Sequence, residues 1–529
     1  MELIIRNGYI IDGTGEKGYY GDIAIENNRI IKVGSLGNMS AEMEIDAGGL
    51  VVAPGFIDIH SHSDWRIFST LQCENTIRQG ITTEIVGHCG DSAYPALSKE
   101  TEEIYDYFKK QPIDTSLIRW KTTEDFWKEV EEIGLSHNVA FLVGHGTLRL
   151  NVMGYDNRKP NQQELEKMKK LLREAMEAGA LGMSTGLAYA PGIFADKEEL
   201  IDLSRVVSRY DGVYTSHLRN QSDKLIEAVE EAVGIGKEAK VAVNISHLKA
   251  ADKENWGKVA DAIRIIDKAR EDGLDVICDA YPYVAASNPL SAELPSWIIE
   301  DGHETYMKNL RDEKIRNRLR NEMPSKEDDF WKLIYVCDVG NADDEKYIGK
   351  NLSQISSEEN TDPITVVCDI LYRSKDNVQV NVVCMKEDDV RYVLSYKNAA
   401  VGADGGVFLT EGYSGHPRAF GTFPAYLGRY IRDLNLASLE EGIRKITSLP
   451  AEFMGIEDRG IIKEGMFADI TIFDYDTIID KATYGKPNLY CDGIKYVIIN
   501  GQVQLDDNKY NRVKAGHVIR RGKRNVKRE

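Results

Sequence analysis

No run of this chain approaches the ~18–20 consecutive apolar residues of a membrane-spanning helix. Nor does the chain carry the cationic excess that a nucleic-acid or anionic-membrane surface requires. The balance runs the other way: 66 Lys and Arg against 85 Asp and Glu give a net charge of -19. Cysteine is sparse and odd in number, scattered over positions 73, 89, 278, 337, 368, 384 and 491. That spacing lacks the pattern of a disulfide framework and fits reduced thiols in a cytoplasmic protein. The opening MELIIRNGYIIDGTG has only short apolar runs, broken by Arg6, Asn7 and Asp12. It lacks the apolar core and small-residue cleavage site of a secretory leader. Fixed-period repeats and low-complexity tracts are also missing. These absences leave a small molecule as the expected partner, with no nucleic acid and no membrane, and say nothing of oligomeric state.

What is present is ample core. The 529 residues exceed the roughly 250–300 that one compact domain spans, so two or more folding units are expected. The first fifty residues alternate apolar and polar positions, with Asn7-Gly8 and Asn27-Asn28 where hairpin turns would fall. The last eighty, with ADITIFDYD, IKYVIINGQVQL and HVIRR, are strand-like too. Neither end makes a robust sheet alone, so the two are expected to pair into one small β domain. The middle alternates strands and helices: VYTSH (213–217), a helix over 222–239 with Ser222 as N-cap, VAVNISH (241–247), a helix over 255–271, and LDVICDA (274–280). Upstream, Asn161 and Glu164 start a helix in capping-box fashion. Leu165, Met168, Leu171, Leu172 and Met176 form its apolar stripe, and Gly179 ends it. Strand–helix alternation at this spacing predicts parallel strands, with a (β/α)8 barrel as the leading closure and an open doubly wound sheet second. Residues 288–345 break the rhythm with a charged helical stretch and read as an inserted helical subdomain, a candidate lid. The expected division is 1–53 with 449–529 as the small β domain, 54–287 with 346–448 as the barrel, and 288–345 as the insertion. The basic tail RRGKRNVKRE reads as a solvated end.

The residues that carry chemistry sit at predicted strand ends. In APGFIDIHSHSD, alternation puts His60 and His62 on one face, where both imidazoles reach one metal. His217 and His247 each close an apolar strand one βα unit apart, so adjacent barrel strands would carry them at one level, on the rim where barrel active sites form. One such histidine alone reads as packed core; four among ten do not. Cys89 in EIVGHCGDS is a further strand-end donor, and thiolate with imidazole selects zinc. His88 would point the other way. Asp404 in GADGG reads either as a turn residue or as a carboxylate that binds metal, orients water and shuttles its proton. His145 in GHGTLR reads as ligand, transition-state donor or core.

Taken together these segments resemble the amidohydrolase superfamily, and within it the N-acyl-D-amino-acid deacylase (D-aminoacylase) family. The resemblance runs in order along the chain, through APGFIDIHSHSD, GHGTLR, STGLAYAPG, TSHLRN, ISHLK, DAYPY, GADGG and HPRAFGTFP to SLPAEFMGIEDRGIIKEGMFADITIFD. It implies a (β/α)8 TIM-like barrel with a small β-sandwich built from both ends and an inserted helical segment. It implies a tight zinc site at Cys89, His217 and His247, and a second, weaker one at His60, His62 and Asp404. It implies Lys249 and Arg391 for a substrate carboxylate, with Tyr189 and Tyr283 nearby. The implied reaction is zinc-dependent hydrolysis of N-acyl-D-amino acids with Asp404 as general base and then acid. Cyclic-amide hydrolases, dipeptidases and a catalytically silent metal-binding relative are the alternatives. His88 departs from the Asn expected there in much of the family. Glu293 stands where acid-specific members are expected to place a cation, so it is expected to disfavour acidic substrate side chains.

Overall fold

The computed structural model describes residues 1–68, 70, 72–95, 119–120, 122–299, 303–325 and 328–522. Most of the basic tail lies outside them. Eight parallel strands form the central sheet: Phe56–Asp58, Ile81–Val86, Asn138–Gly144, Gly182–Gly186, Val213–His217, Ala242–Ile245, Val276–Ala280 and Ala399–Val401. They are called the first to eighth barrel strands below. Closure falls just beyond the first and eighth. Ser61 bridges Gly405 in parallel. Asp404 N donates to His60 O at 2.8 Å, and His62 N to Gly405 O at 2.7 Å. The bonds that close the barrel therefore involve three candidate functional residues.

Inside the barrel, Ile57, Ile59, Ile85, Leu142, Leu181, Val213 and Ile277 make an apolar plug, sealed by Leu449, Phe453, Met454 and Ile519. Outside, amphipathic helices cover the strands. Asn161 accepts from the backbone N–H groups of Gln163 and Glu164, and Glu164 returns a bond to Asn161 N, so the expected capping box starts helix Gln162–Ala178. Gly179, in the left-handed region, ends it. Ser222 does not cap its helix, which begins at Leu225 behind Lys224. The Ser222 hydroxyl is drawn away to Asp252 at 2.7 Å.

Both chain ends pair into one nine-stranded mixed sheet. Its seam is the antiparallel pairing of Ile470–Phe473 with Val51–Pro54. Asn27-Asn28 and Asn500-Gly501 make two of its hairpin turns, all four residues at positive φ. Asn7-Gly8 makes none: strand Leu3–Ile10 runs through both residues, with a register shift between Ile5 and Gly8 where Asn7 takes a positive φ. Not all of the C-terminal segment stays with this sheet. Helix Ser448–Met454 packs under the barrel, and Val518–Ile519 pairs with the third barrel strand.

The insertion holds helices His303–Asn309 and Glu313–Glu322, and it extends further than 288–345. Strands Ala285–Pro289, Ile334–Val339 and Val378–Val383 form a separate three-stranded antiparallel sheet, and one apolar core runs from Leu290 to Val382. Ala285 pairs with Val383, so the chain leaves the barrel and returns to it side by side.

Candidate active site

The candidate ligands hang from the C-terminal ends of the barrel strands, where this architecture assembles active sites. One donor atom each of His60, Cys89, His247 and Asp404 lies within 4.8 Å of the others. Cys89 Sγ is 3.4 Å from His60 Nε2 and 3.5 Å from His247 Nε2. Asp404 Oδ1 faces His62 Nε2 at 3.0 Å and His60 Nε2 at 3.4 Å. His217 stands beside this group, its ring 4.5 Å from that of His247, with a buried Nδ1 that has no partner among the described residues. The tightest cluster thus mixes the two sets that the resemblance separated.

The backbone is distorted where it presents these groups. Cys89, His247 and Asp404 have φ of 52°, 35° and 49°. Non-glycine residues rarely sit there, each at a cost of about 1–3 kcal/mol, and such strain concentrates at functional sites. Two glycines give the cluster room. A Cβ on Gly402 would stand 2.6 Å from His60 Cβ, and one on Gly186 would stand 2.0 Å from Cys89 O.

Asp279 organises the ring from behind. Its Oδ1 lies 3.1 Å from His60 Nδ1 and accepts His247 N–H at 2.8 Å, while Oδ2 accepts from Asn244 at 2.6 Å. A carboxylate on the far nitrogen fixes a ligand imidazole and leaves Nε2 facing inward. Burial works against charge on His60, but Asp279, Cys89 and Asp404 outweigh it and push its pKa up to about 10. Burial, reinforced by Lys249, pushes His217 down to about 3. Burial opposes the Asp404 carboxylate, yet Arg418, His247 and His60 hold it well below the usual range. With no ion present, these opposed charges compensate one another. A thiol, imidazoles and a carboxylate on strained backbone are a donor set that fits zinc.

Two cations, Lys249 buried and Arg418 partly buried, border the cluster. Lys249 Nζ is 5.7 Å from the centre of the Tyr281 ring, and the Arg418 guanidinium 4.9 Å from it. Arg418 Nη1 is 2.7 Å from Asp404 Oδ2. Tyr281 Oη is buried without a partner among the described residues. Arg391 is not at the site. It lies on helix Glu387–Ser395, half-exposed and 3.1 Å from Glu387, so an i,i+4 pair satisfies it on the helix. Tyr283 donates to Asp480 at 3.2 Å, away from the two cations, and Tyr281 takes the place between them. Tyr189 rests its half-exposed ring 4.7 Å from that of His217.

The remaining residues fall outside the donor group. Glu293 is partly buried on the insertion, bonded to Asn288 at 3.1 Å. His145 is core: its Nε2 is 2.8 Å from Glu199, which also holds Arg149 at 2.6 Å. His88 stacks on His60 at 4.1 Å between ring centres. Arg418 and Tyr281 are the functional candidates that sequence reasoning passed over, though both lie in segments that carry the resemblance, HPRAFGTFP and DAYPY.

Eight parallel strands with candidate metal ligands at their C-terminal ends point to a class, the metal-site barrels of hydrolases, and comparison with known proteins resolves which. The sequence profile of the Amidohydrolase family matches residues 43–318 and 400–504. An N-acyl-D-glutamate deacylase of Alcaligenes xylosoxydans xylosoxydans is 34% identical over 502 residues, covering 95% of this chain and 93% of that protein. A D-aminoacylase of the same organism is 31% identical over 521 residues, covering 98% of each. Among solved structures, the N-acyl-D-glutamate deacylase of Bordetella bronchiseptica, complexed with zinc and a phosphonate mimic of the tetrahedral intermediate, has a TM-score of 0.82 at 32% identity, with coverage of 98% and 99%. A dihydropyrimidinase of Brevibacillus agri, at 14% identity and a TM-score of 0.58, shares the fold alone. The chain belongs to the amidohydrolase family, and within it to the N-acyl-D-amino-acid deacylases.

Proposed function

We propose that this protein hydrolyses the amide bond of N-acyl-D-amino acids, releasing a carboxylate and a free D-amino acid. The observation that carries the proposal is one juxtaposition. Donor atoms of His60, Cys89, His247 and Asp404 lie within 4.8 Å of one another, and buried Lys249 and partly buried Arg418 border them across Tyr281. The names of the full-length relatives support the same reading.

His60, His62, Cys89, His217, His247 and Asp404 would hold zinc, one ion tightly and a second more weakly. Zinc, when bound, lowers the pKa of water toward neutrality and polarises the scissile carbonyl. The protein's own groups do the rest. Asp404 takes the proton of the attacking water and delivers it to the departing nitrogen, because an amide anion is a poor leaving group. Arg418, with Lys249, holds the free α-carboxylate by charge-assisted bonds, and Tyr281 offers its unpartnered hydroxyl. With the carboxylate and the scissile amide both fixed, the substrate side chain has one direction left, which selects handedness by shape.

Glu293 and Asp252 set the side-chain preference in this proposal. Burial, with the Asp252 charge behind it, raises the Glu293 carboxyl. Neutral and basic side chains are therefore favoured over acidic ones; N-acetyl-D-glutamate as the best substrate would contradict this. All seven thiols are free, which supports a cytoplasmic setting. No described helix is long and apolar enough to cross a membrane. The test of function is a panel of matched N-acetyl-D- and N-acetyl-L-amino acids with free amine as readout. Release from the D series only is expected. Release only from cyclic amides or dipeptides would move the protein to another branch of the family.

A further inference from the structure

We propose that His416 is a positioning residue that ties Arg418 to the inserted subdomain. The inference rests on the reading above, in which Arg418 holds the substrate carboxylate.

His416 lies in the loop between Asp404 and helix Arg418–Ala425. It is 3% exposed, and its ring packs against Tyr281, Tyr283 and Tyr484 with centres 6.0, 5.4 and 5.4 Å away. Both ring nitrogens are used. Nδ1 accepts the backbone N–H of Arg418 at 3.0 Å, and Nε2 stands 3.1 Å from the carbonyl of Ala285. A carbonyl only accepts and a backbone N–H only donates, so these two partners assign one neutral tautomer, with the proton on Nε2. Burial and the neighbouring guanidinium disfavour the charged ring, consistent with that state.

Each bond has a structural purpose. Arg418 is the first residue of its helix, and Pro417 at the N-cap has no side chain to bond the free N–H groups. The His416 ring supplies that bond and fixes where the Arg418 side chain departs. Ala285 opens the first strand of the insertion, at the point where the chain leaves the barrel. A second tie runs beside it: Asn381 Nδ2, on the strand that returns to the barrel, donates to Gly415 O at 3.3 Å. The insertion thus grips residues 415–416 immediately before the clamp arginine. On this account the inserted sheet is the template against which that arginine is aimed, and it enters substrate binding without supplying a group to the metal cluster.

Asparagine and glutamine separate the two bonds. In His416→Asn the amide oxygen overlies Nδ1 and keeps the bond to Arg418 N. In His416→Gln the amide overlies Nε2 and keeps only the bond to Ala285. With the full-length, zinc-loaded protein, the Gln variant is expected to raise KM for an N-acetyl-D-amino acid about tenfold, the equivalent of one hydrogen bond, at nearly unchanged kcat. The Asn variant is expected to stay near the wild-type KM. Zinc content should be the same in all three. Hydrogen exchange is the second readout: the Arg418 amide should exchange faster in the Gln variant and stay protected in the Asn variant. Equal KM for the two variants, or equal protection of that amide, would overturn the proposal. If the wild-type protein hydrolyses no N-acyl-D-amino acid, the functional reading fails, and amide exchange alone then decides the role of His416. If the Gln variant does not fold, Asn381→Ala takes its place, with a KM rise of about threefold or more at unchanged kcat expected for a lost weak bond; an unchanged KM would overturn the proposal.

Discussion

Ser61 donates its hydroxyl to Glu84 at 2.7 Å, between the two histidines of the H-x-H segment. Ser63 donates to the same carboxylate oxygen at 3.0 Å and accepts the backbone N–H of Val407 at 2.9 Å. The serines alternate with His60 and His62, and the two imidazoles face Asp404 while the hydroxyls face Glu84. The other oxygen of Glu84 is paired with buried His137. A buried ion pair therefore pins the segment that presents two candidate ligands.

Removing the charge at that anchor should loosen the metal site without touching a ligand. Glu84→Gln is expected to weaken zinc binding about 10–100-fold, as loss of an outer carboxylate does at other metal sites. Competition against a chelator of known affinity measures it. Unchanged affinity would detach Glu84 from the site.

The same pair should leave a mark on stability against pH. Burial opposes charge on His137, but Cys73 and Glu84 outweigh it and push its pKa up from 6.5 to about 10. A pKa raised in the folded state means that the folded protein holds the proton more tightly. The contribution is complete below pH 6.5 and is lost as pH rises through 10. Urea unfolding across this window should show falling stability, with a shallower slope in His137→Gln. Equal slopes would contradict the pairing.

Arg418 and Arg391 separate the structural reading from the sequence one. Arg418→Met should raise KM about 10–100-fold, the loss of one charge-assisted bond of about 1.5–3 kcal/mol. Arg391→Ala should leave both kcat and KM unchanged. Steady-state kinetics on one N-acetyl-D-amino acid decides between them.

Asp404→Asn should retain zinc and lose about 10²–10⁴ in kcat, the usual contribution of a positioned acid–base group. Metal analysis beside kinetics reads both. A near-normal kcat would remove Asp404 from proton transfer.

The legible parts of the site were those tied to a period. His217 ends the fifth barrel strand, and His60, His62 and His247 lie two to four residues beyond the ends of the first and sixth. Arg418 follows the irregular loop 405–417, where no period says what faces Asp404. Arg391 pairs with its helix neighbour Glu387, a local partner that no motif around it announces. The extent of the insertion was hidden for a related reason. VQVNVV reads like any buried barrel strand, and only the antiparallel pairing of Val383 with Ala285 assigns it to a second sheet. Asn7-Gly8 shows the limit of turn chemistry: positive φ at Asn7 serves a bulge there.

The proposed activity is chelator-sensitive hydrolysis restricted to one hand of substrate. The direct measurement incubates zinc-loaded protein with matched N-acetyl-D- and N-acetyl-L-amino acids and follows free amine, beside a metal-depleted control. Amine released from the D series alone, abolished by chelation and restored by zinc, is the expected result. Release from the L series, or release that survives metal removal, would contradict the account.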